Sequence, residues 1–356
     1  VIRRMLESCY EYIDYWVVQD NGSTDGTDQI VKDFFEEKGI PGHYYQCEEG
    51  WVGFGWNRDH LLQTCLNHDH GCDWILKMDC DEYLEVDDDF DWSLIDDTNI
   101  QSFHITAENP GCTYYRAWMW NARLPWHFKH DVAHECIVCD IEGVGEDFQR
   151  VNLPRGLRQM GTWDGESYAT PTKYISDSLK LEEQHIREET LLSDTYHFWY
   201  VAKSYLDASY SPVFPLGYEQ QKEYARRAIF YFKSWMNHTI DYDAKGYTGG
   251  VNEMAYYTLY CIGMMYQLMG DFEKAIESHM LAEPFCDIRN EHIVGLAECY
   301  RDIGDFEGMK YQTERLVDPE RKLPFPQCYF LVNNSFYIDS GNYGKELHQI
   351  ASENYK

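Results

Sequence analysis

The stretch Cys72-Asp73-Trp74-Ile75-Leu76-Lys77-Met78-Asp79-Cys80-Asp81-Glu82 decides how this chain is read, because an apolar strand runs straight into three closely spaced carboxylates. Like charges at that spacing repel one another and raise each other's pKa unless a cation sits among them, so Asp79, Asp81 and Glu82 together ask for a metal. A hard ion such as Mg²⁺ or Mn²⁺ suits carboxylate oxygen, and the ligand it most often shares with a protein is a phosphate. The plainer alternative is a solvated acidic loop continuing through Glu85 to Asp91.

Upstream, Tyr15-Trp16-Val17-Val18-Gln19-Asp20 is a second short apolar run closed by a carboxylate. It leads through Asn21-Gly22-Ser23-Thr24-Asp25-Gly26-Thr27 into a helical pattern at Ile30, Val31, Phe34 and Phe35. Gly22 and Gly26 suit positive φ, while Ser23, Thr24 and Asp25 suit a helix start, so a strand, a tight turn and a helix are predicted. A candidate strand at His43 to Cys47 and a candidate helix from Trp56 to Leu66 follow, giving alternating β and α units. In an open parallel sheet built that way, Asp20, Asp79 and Asp81 all emerge at the carboxyl edge, where ligands bind.

The runs DNGSTDGT at 20–27, NRDHLLQTCL at 57–66 and DWILKMDCDE at 73–82 together resemble glycosyltransferase family 2, nucleotide-sugar enzymes of the GT-A fold. The resemblance spans roughly residues 1–140. It implies that Asp20 contacts the nucleobase, that Asp79 and Asp81 are a DxD motif binding ribose and a diphosphate-bridging metal, and that Asn21, Ser23 and Arg58 join the nucleotide-sugar site. Two departures stand out. The family usually writes Arg-Asn where this chain has Asn57-Arg58, and it begins with an acidic strand whereas Val1 to Ser8 reads as the helix after that strand, so the first strand is expected to be absent from this sequence.

Farther on, Ile100 to Ile105 alternates as a strand, and an aromatic stretch from Tyr114 to Trp126 leads into His127-Phe128-Lys129-His130-Asp131-Val132-Ala133-His134-Glu135. The resemblance assigns His134 to the metal or diphosphate and Glu135 to the general base that activates the acceptor hydroxyl. Asp131, Asp164 and Glu166 compete for the base role, the last two in a loop from Gly161 to Glu166 placed to fold over the donor. Trp118, Trp120 and Trp126 are candidate sugar platforms, although core packing is the commoner fate of such aromatics.

From Thr170-Pro171, a helix start with Pro at its first position, the pattern becomes helical. Gly270-Asp271-Phe272 and Gly304-Asp305-Phe306 recur at the 34-residue tetratricopeptide period, with Tyr266 and Tyr300 each four residues before the Gly. Gly263, Ala275 and Ala282 fit small packing positions, Met309 and Leu316 fit them less well, and a degenerate unit is suggested from Phe198 to Ala228. The expected architecture is an α/β, Rossmann-like GT-A domain with a mostly parallel sheet over 1–168, then an all-α tetratricopeptide-like domain over 169–356. Stacked helix pairs bury their apolar faces on one another, and their concave side is a candidate surface for an acceptor, a protein partner or an oligomer contact. Glu253, Arg289 and Glu291 are polar groups for such a face, or members of salt bridges.

A net charge of -31 argues against nucleic acid and anionic membranes as partners. No run of eighteen apolar residues and no signal-peptide pattern is present in the sequence given, so a soluble, cytoplasmic protein of bacterial or viral type is expected. The twelve cysteines are scattered, which reads as small buried thiols; Cys136 and Cys139 near His134 lack a second ligand pair for zinc. The expected activity is transfer of a hexosyl or related group from a nucleotide-diphosphate sugar, a UDP-sugar first, to an acceptor hydroxyl with Mn²⁺ or Mg²⁺; inversion is inherited from the resemblance. The acceptor class, whether glycan, protein, lipid-linked or small molecule, stays open. The rivals are a nucleotidyltransferase, for which no glycine-rich basic loop is found, a non-catalytic nucleotide-sugar-binding or tetratricopeptide interaction protein, and a DNA-base glycosyltransferase, which the acidity opposes.

Overall fold

The computed structural model describes residues 1–109, 112–129, 135–139, 141, 150–162, 170–188, 196–239, 250–285, 289–317, 327–328 and 340–354. The chain divides into two compact units, Val1–Thr170 and Pro171–Lys356.

The first unit opens with α1 (Ile2–Cys9), β1 (Trp16–Asp20), α2 (Thr27–Lys38), β2 (Gly42–Gln46) and α3 (Phe54–Asn67). It continues with β3 (Trp74–Leu76), β4 (Glu82–Val86), β5 (Ser102–Asn109), β6 (Cys112–Asn121), β7 (Trp126–Lys129), β8 (Cys136–Cys139), β9 (Arg150–Asn152) and β10 (Leu157–Gly161). β1 and β2 pair in parallel, from Trp16 opposite Gly42 to Asp20 opposite Gln46. Only glycine fits at 42, since a Cβ there would lie 2.3 Å from the Trp16 indole, which in turn stacks on Phe35 of α2 with ring centroids 4.4 Å apart. A mixed sheet holds β6, β5, β10 and β4 in that order, with β3 antiparallel to β6 and β9 parallel to β5.

This arrangement corrects one expectation. Among the described residues, β1 and β3 do not share a sheet; α3, packed against β1 and β7, is the element that spans the gap between the two acidic strand ends. Alternation along β3 feeds two cores. Trp74 and Leu76 pack on the cluster of Leu84, Phe103, Ile105, Met119 and Leu157, while Ile75 points the other way onto Leu62, Trp120 and Trp126. Trp120 and Trp126 are thus core residues, 2% and 3% exposed, not sugar platforms. The acidic tract after Asp81 is partly strand: β4 pairs with β10, and Glu85 and Asp87 are held by Arg158.

The second unit contains the helices α4 (Pro171–Glu188), α5 (Tyr196–Tyr210), α6 (Tyr218–Thr239), α7 (Gly250–Met269), α8 (Phe272–Ala282), α9 (Glu291–Ile303), α10 (Phe306–Val317) and α11 (Ser340–Asn354). Each packs on the next, and α7 also meets α9 as α9 meets α11, the contact pattern of stacked helix pairs. The two Gly-Asp-Phe segments make the same turn. Gly270 and Gly304 both take φ near +80°, and the amides of Asp271 and Asp305 donate to the carbonyls of Tyr266 and Tyr300, each at 2.9 Å. Between these turns His279 is wholly buried against Gly263 and Gly295, where a Cβ on either would meet its ring at 2.4 Å. Arg289 and Glu291 form a buried pair that also accepts from Tyr256, so neither lines an open face. Cys9, Cys47, Cys65, Cys72, Cys80, Cys261 and Cys299 are outside any disulfide. No helix among the described residues is long and apolar enough to cross a membrane.

Candidate functional site

Asp20 closes β1 and is nearly inaccessible, at 5% exposure. Its Oδ1 accepts from the amides of Gly22 at 2.9 Å and Ser23 at 2.7 Å, and Tyr44 on β2 donates its hydroxyl to Oδ2. Burial alone would push this carboxyl up; the hydrogen bonds from Tyr44, Ser23 and Gly22 outweigh it and hold the pKa below the ordinary value. Asp20 therefore stays ionised and fixes the turn that follows the strand. Ser23 contributes its amide to that turn.

The turn is tied to the loop after β2 by Asn57, which is 3% exposed. Its Oδ1 accepts from the amides of Val52 at 2.9 Å and Gly53 at 3.0 Å, and its Nδ2 donates to Asn21 Oδ1 at 3.0 Å and to the Gly50 carbonyl at 2.8 Å. All four hydrogen-bonding positions of the amide are used. Asn21 accepts a second bond from Gln19, whose own Oε1 lies 3.0 Å from His60 Nδ1. The two loops at the carboxyl edge of β1 and β2 thus form one cross-linked rim.

At the turn after β3, Asp79 carries two cations on one carboxylate. Lys77 donates to its Oδ1 at 2.8 Å, and Arg58 of α3 reaches its Oδ1 and Oδ2 at 3.3 and 3.1 Å. Burial opposes the charge on Asp79, but Lys77 and Arg58 hold its carboxyl well below the usual range. Burial also pulls the Lys77 ammonium down to about 8, against the attraction of Asp79. Trp118 supports this group, with Lys77 Nζ 3.5 Å and the Arg116 guanidinium carbon 3.9 Å from its ring centroid.

The third carboxylate of the motif turns elsewhere. Glu82 is buried, pairs with Arg116 at 2.6 Å, and accepts from Gln159 at 2.7 Å and from the Asp79 amide at 3.1 Å. Burial, then the charge of Asp79, pushes its pKa up. The mutual repulsion that asked for a metal is therefore met in part by the protein's own cations. The backbone of Asp81 is fastened as well: its carbonyl accepts from Thr162 at 2.6 Å and from Arg4 of α1 at 3.0 Å.

Arg58 does more than hold Asp79. It is also ion-paired with Glu135, immediately before β8, whose side chain is 9% exposed. Its guanidinium carbon stands 5.5 Å from the centroid of Phe54, which meets the half-exposed Trp51 edge-on. Arg58 is thus a bridge between two carboxylates, not a surface arginine. Asp20, Asn21 and Ser23 gather at one end of α3; Arg58, Asp79 and Glu135 gather around the residue next to Asn57. His134, Asp164, Asp131 and Glu166 lie outside the described residues.

The family comparison bears on this arrangement. Residues 1–90 match glycosyl transferase family 2. No curated protein matches the chain. The family 2 segment holds Asp20, Asn57, Arg58, Lys77, Asp79 and Asp81, and supports a glycosyltransferase at the N-terminus. Glu135 lies beyond it, and its link to the segment is the ion pair with Arg58.

Sequence reasoning passed over Asn57, Lys77, Tyr44 and Arg116. For Lys77 a signal was available, because residues two apart at a strand end share a face and put its ammonium beside Asp79. For Tyr44 there was none, since its partner is fixed by the pairing of β1 with β2, and none for Arg116, whose partner Glu82 stands on β4, a strand that β6 does not pair with among the described residues. Among the described residues no three His, Cys, Asp or Glu side chains form a group suited to a metal ion. The oxygens of Asp79 and Asp81 have the right chemistry for Mg²⁺ or Mn²⁺, but those of Asp79 are already neutralised by Lys77 and Arg58. The donor set fits such an ion on the condition that an anion engages the two cations.

Proposed function

We propose that the first unit transfers a sugar from a nucleoside diphosphate to an acceptor hydroxyl, with a UDP-sugar as the first donor to test. The observation that carries this reading is the convergence of Arg58 and Lys77 on Asp79 within the family 2 segment, a pair of cations beside the acidic end of β3. Such a pair suits a diphosphate, which offers each of them a charge-assisted hydrogen bond. The Asp20 rim, held by Asn57, suits the base and ribose, with Asn21 and Ser23 beside it.

In this reading Asp79 and Asp81 are the oxygen ligands of Mn²⁺ or Mg²⁺, which when bound supplies positive charge against the departing diphosphate. Arg58 and Lys77 bind the phosphates and hold the leaving group in line. The acceptor oxygen bonds to the anomeric carbon as the bond from that carbon to the phosphate oxygen breaks, which inverts the centre. Glu135 takes the hydroxyl proton. A carboxylate tied to Arg58 is a poor base, so the movement of Arg58 toward the diphosphate also frees Glu135 for this role. The helical second unit, read as tetratricopeptide-like, is the candidate surface for acceptor or partner.

The test is donor hydrolysis across UDP-, GDP- and dTDP-sugars with Mn²⁺ and with Mg²⁺. Turnover with at least one donor, dependent on divalent ion and lowered at least about a hundredfold in Asp81→Ala, is expected. Folded protein silent on the whole panel would refute the reading, and pyrophosphate release from a nucleoside triphosphate would replace it with nucleotidyl transfer.

A further inference from the structure

The transferase reading gives Asp79 a ligand role but does not explain why two cations already occupy it. Lys77 is the less expected of the two. Its side chain is 10% exposed, and its ammonium lies 3.5 Å from the Trp118 ring centroid while meeting Asp79 Oδ1 at 2.8 Å. An ammonium on a flexible four-carbon stem has three donors and changes partner by small rotations, whereas its anchor on the indole keeps it at this turn. Arg58 holds the same carboxylate from α3 while paired to Glu135.

A divalent ion approaching Asp79 by itself meets both of these charges at contact range and must displace their hydrogen bonds to reach either oxygen. A diphosphate reverses the balance. It gives Lys77 and Arg58 an anion of their own and releases the oxygens of Asp79. Resting on the transferase reading, we propose that Lys77 guards Asp79 until a nucleoside diphosphate arrives and then grips that diphosphate, so that a divalent ion reaches Asp79 only together with the nucleotide. Lys77 is then a donor-binding residue that also sets the order of assembly.

The proposal is tested by binding and not by turnover. Mn²⁺ binding is read from the electron paramagnetic resonance signal of the free ion, and binding of UDP, GDP and dTDP by calorimetry, each with and without Mn²⁺. The full chain is expected to bind Mn²⁺ alone only in the millimolar range, and at least about tenfold more tightly beside the nucleoside diphosphate that fits. Lys77→Met, which removes the charge and keeps an unbranched side chain, is expected to tighten binding of Mn²⁺ alone about tenfold and to weaken metal-free nucleoside diphosphate binding about tenfold. Lys77→Arg keeps the charge and is expected to exclude Mn²⁺ as the unaltered chain does. Micromolar Mn²⁺ binding to the unaltered chain without nucleotide overturns the proposal and needs no variant to fold. So does a Lys77→Met protein that matches the unaltered chain in both affinities. If none of the three diphosphates binds, with or without metal, the transferase reading itself fails, and this outcome is distinct from nucleotide binding that ignores residue 77.

Discussion

Replacing Asn57 by Asp changes one amide nitrogen to oxygen and nothing in shape, yet it is expected to loosen the rim more than truncation does. The bonds accepted from Val52 and Gly53 survive. The other oxygen of the new carboxylate then faces Asn21 Oδ1 at 3.0 Å and the Gly50 carbonyl at 2.8 Å, two acceptors with nothing between them. Asn21 cannot flip at no cost, because its Oδ1 also accepts from Gln19, and the Gly50 carbonyl cannot flip at all. Two lost neutral bonds at about 1 kcal/mol each, plus about 1–2 kcal/mol for a buried, unsatisfied charge-bearing oxygen, give a local loss of about 3–4 kcal/mol. Asn57→Ala loses all four bonds but admits water to the vacated slot, for about 2–3 kcal/mol. The two units make a single global unfolding energy ill-defined, so the assay is hydrogen exchange read on peptides covering residues 47–58, with peptides of the second unit as internal control. At 1.4 kcal/mol per factor of ten, Asn57→Asp should exchange there at least about a hundredfold faster at pH 7.5. Part of this defect should disappear near pH 5, where the introduced carboxyl, its pKa raised by burial beside two acceptors, takes up a proton and donates to the Gly50 carbonyl. Exchange within about threefold of the unaltered chain at pH 7.5 would show that the Asn57 network does not hold the rim.

Two further outcomes follow from groups outside that network. Tyr44→Phe removes a hydrogen bond to a carboxylate whose pKa lies below its ordinary value; such a group adds stability above the unfolded pKa and loses it as pH falls through the folded one, so the acid-unfolding midpoint of the first unit should move to higher pH, with about 1–2 kcal/mol lost at neutral pH. An unchanged midpoint in a circular-dichroism acid titration would count against it. In the second unit, Gly263→Ala drives a methyl into the His279 ring and should cost about 1–3 kcal/mol, read as a lower melting temperature; combining it with His279→Ala should cost less than the sum of the two, and strict additivity would mean the close approach is not what destabilises the variant.

The element pattern of the first unit was open to reading because its signals are local. An apolar run ending in Asp20, a turn of Asn, Gly and Ser, and an amphipathic run through Phe34 and Phe35 leave little choice of structure. The repeat of Gly-Asp-Phe was equally visible, and both copies fold into one turn geometry. Which charges neutralise which was not visible, for a physical reason. Glu82 finds Arg116 and Gln159 on other strands, 34 and 77 residues away, and Arg58 finds Asp79 and Glu135 from a helix. The motif displayed three carboxylates and, among their cations, Lys77 alone, so without Arg58 and Arg116 its spacing overstated the repulsion. Strand pairing was hidden too: β1 with β2 and β3 with β6 satisfy the same hydrophobic patterns that one continuous sheet would.

The order Asn57-Arg58 acquires its meaning from this geometry. Successive residues on a helix point about 100° apart, so neighbours in sequence serve different surfaces. Asn57 faces the rim around Asn21 and Gly50, in a buried slot that its small amide fills. Arg58 faces the turn after β3, where its guanidinium has room to bridge Asp79 and Glu135. Exchanging the two would bury a guanidinium beside backbone amides that donate rather than accept, and would leave Asp79 with Lys77 alone. The rim that suits a nucleotide and one of the two cations that suit its diphosphate are therefore set by the rotation of a single helix, and a change that turns α3 about its axis must disturb both at once.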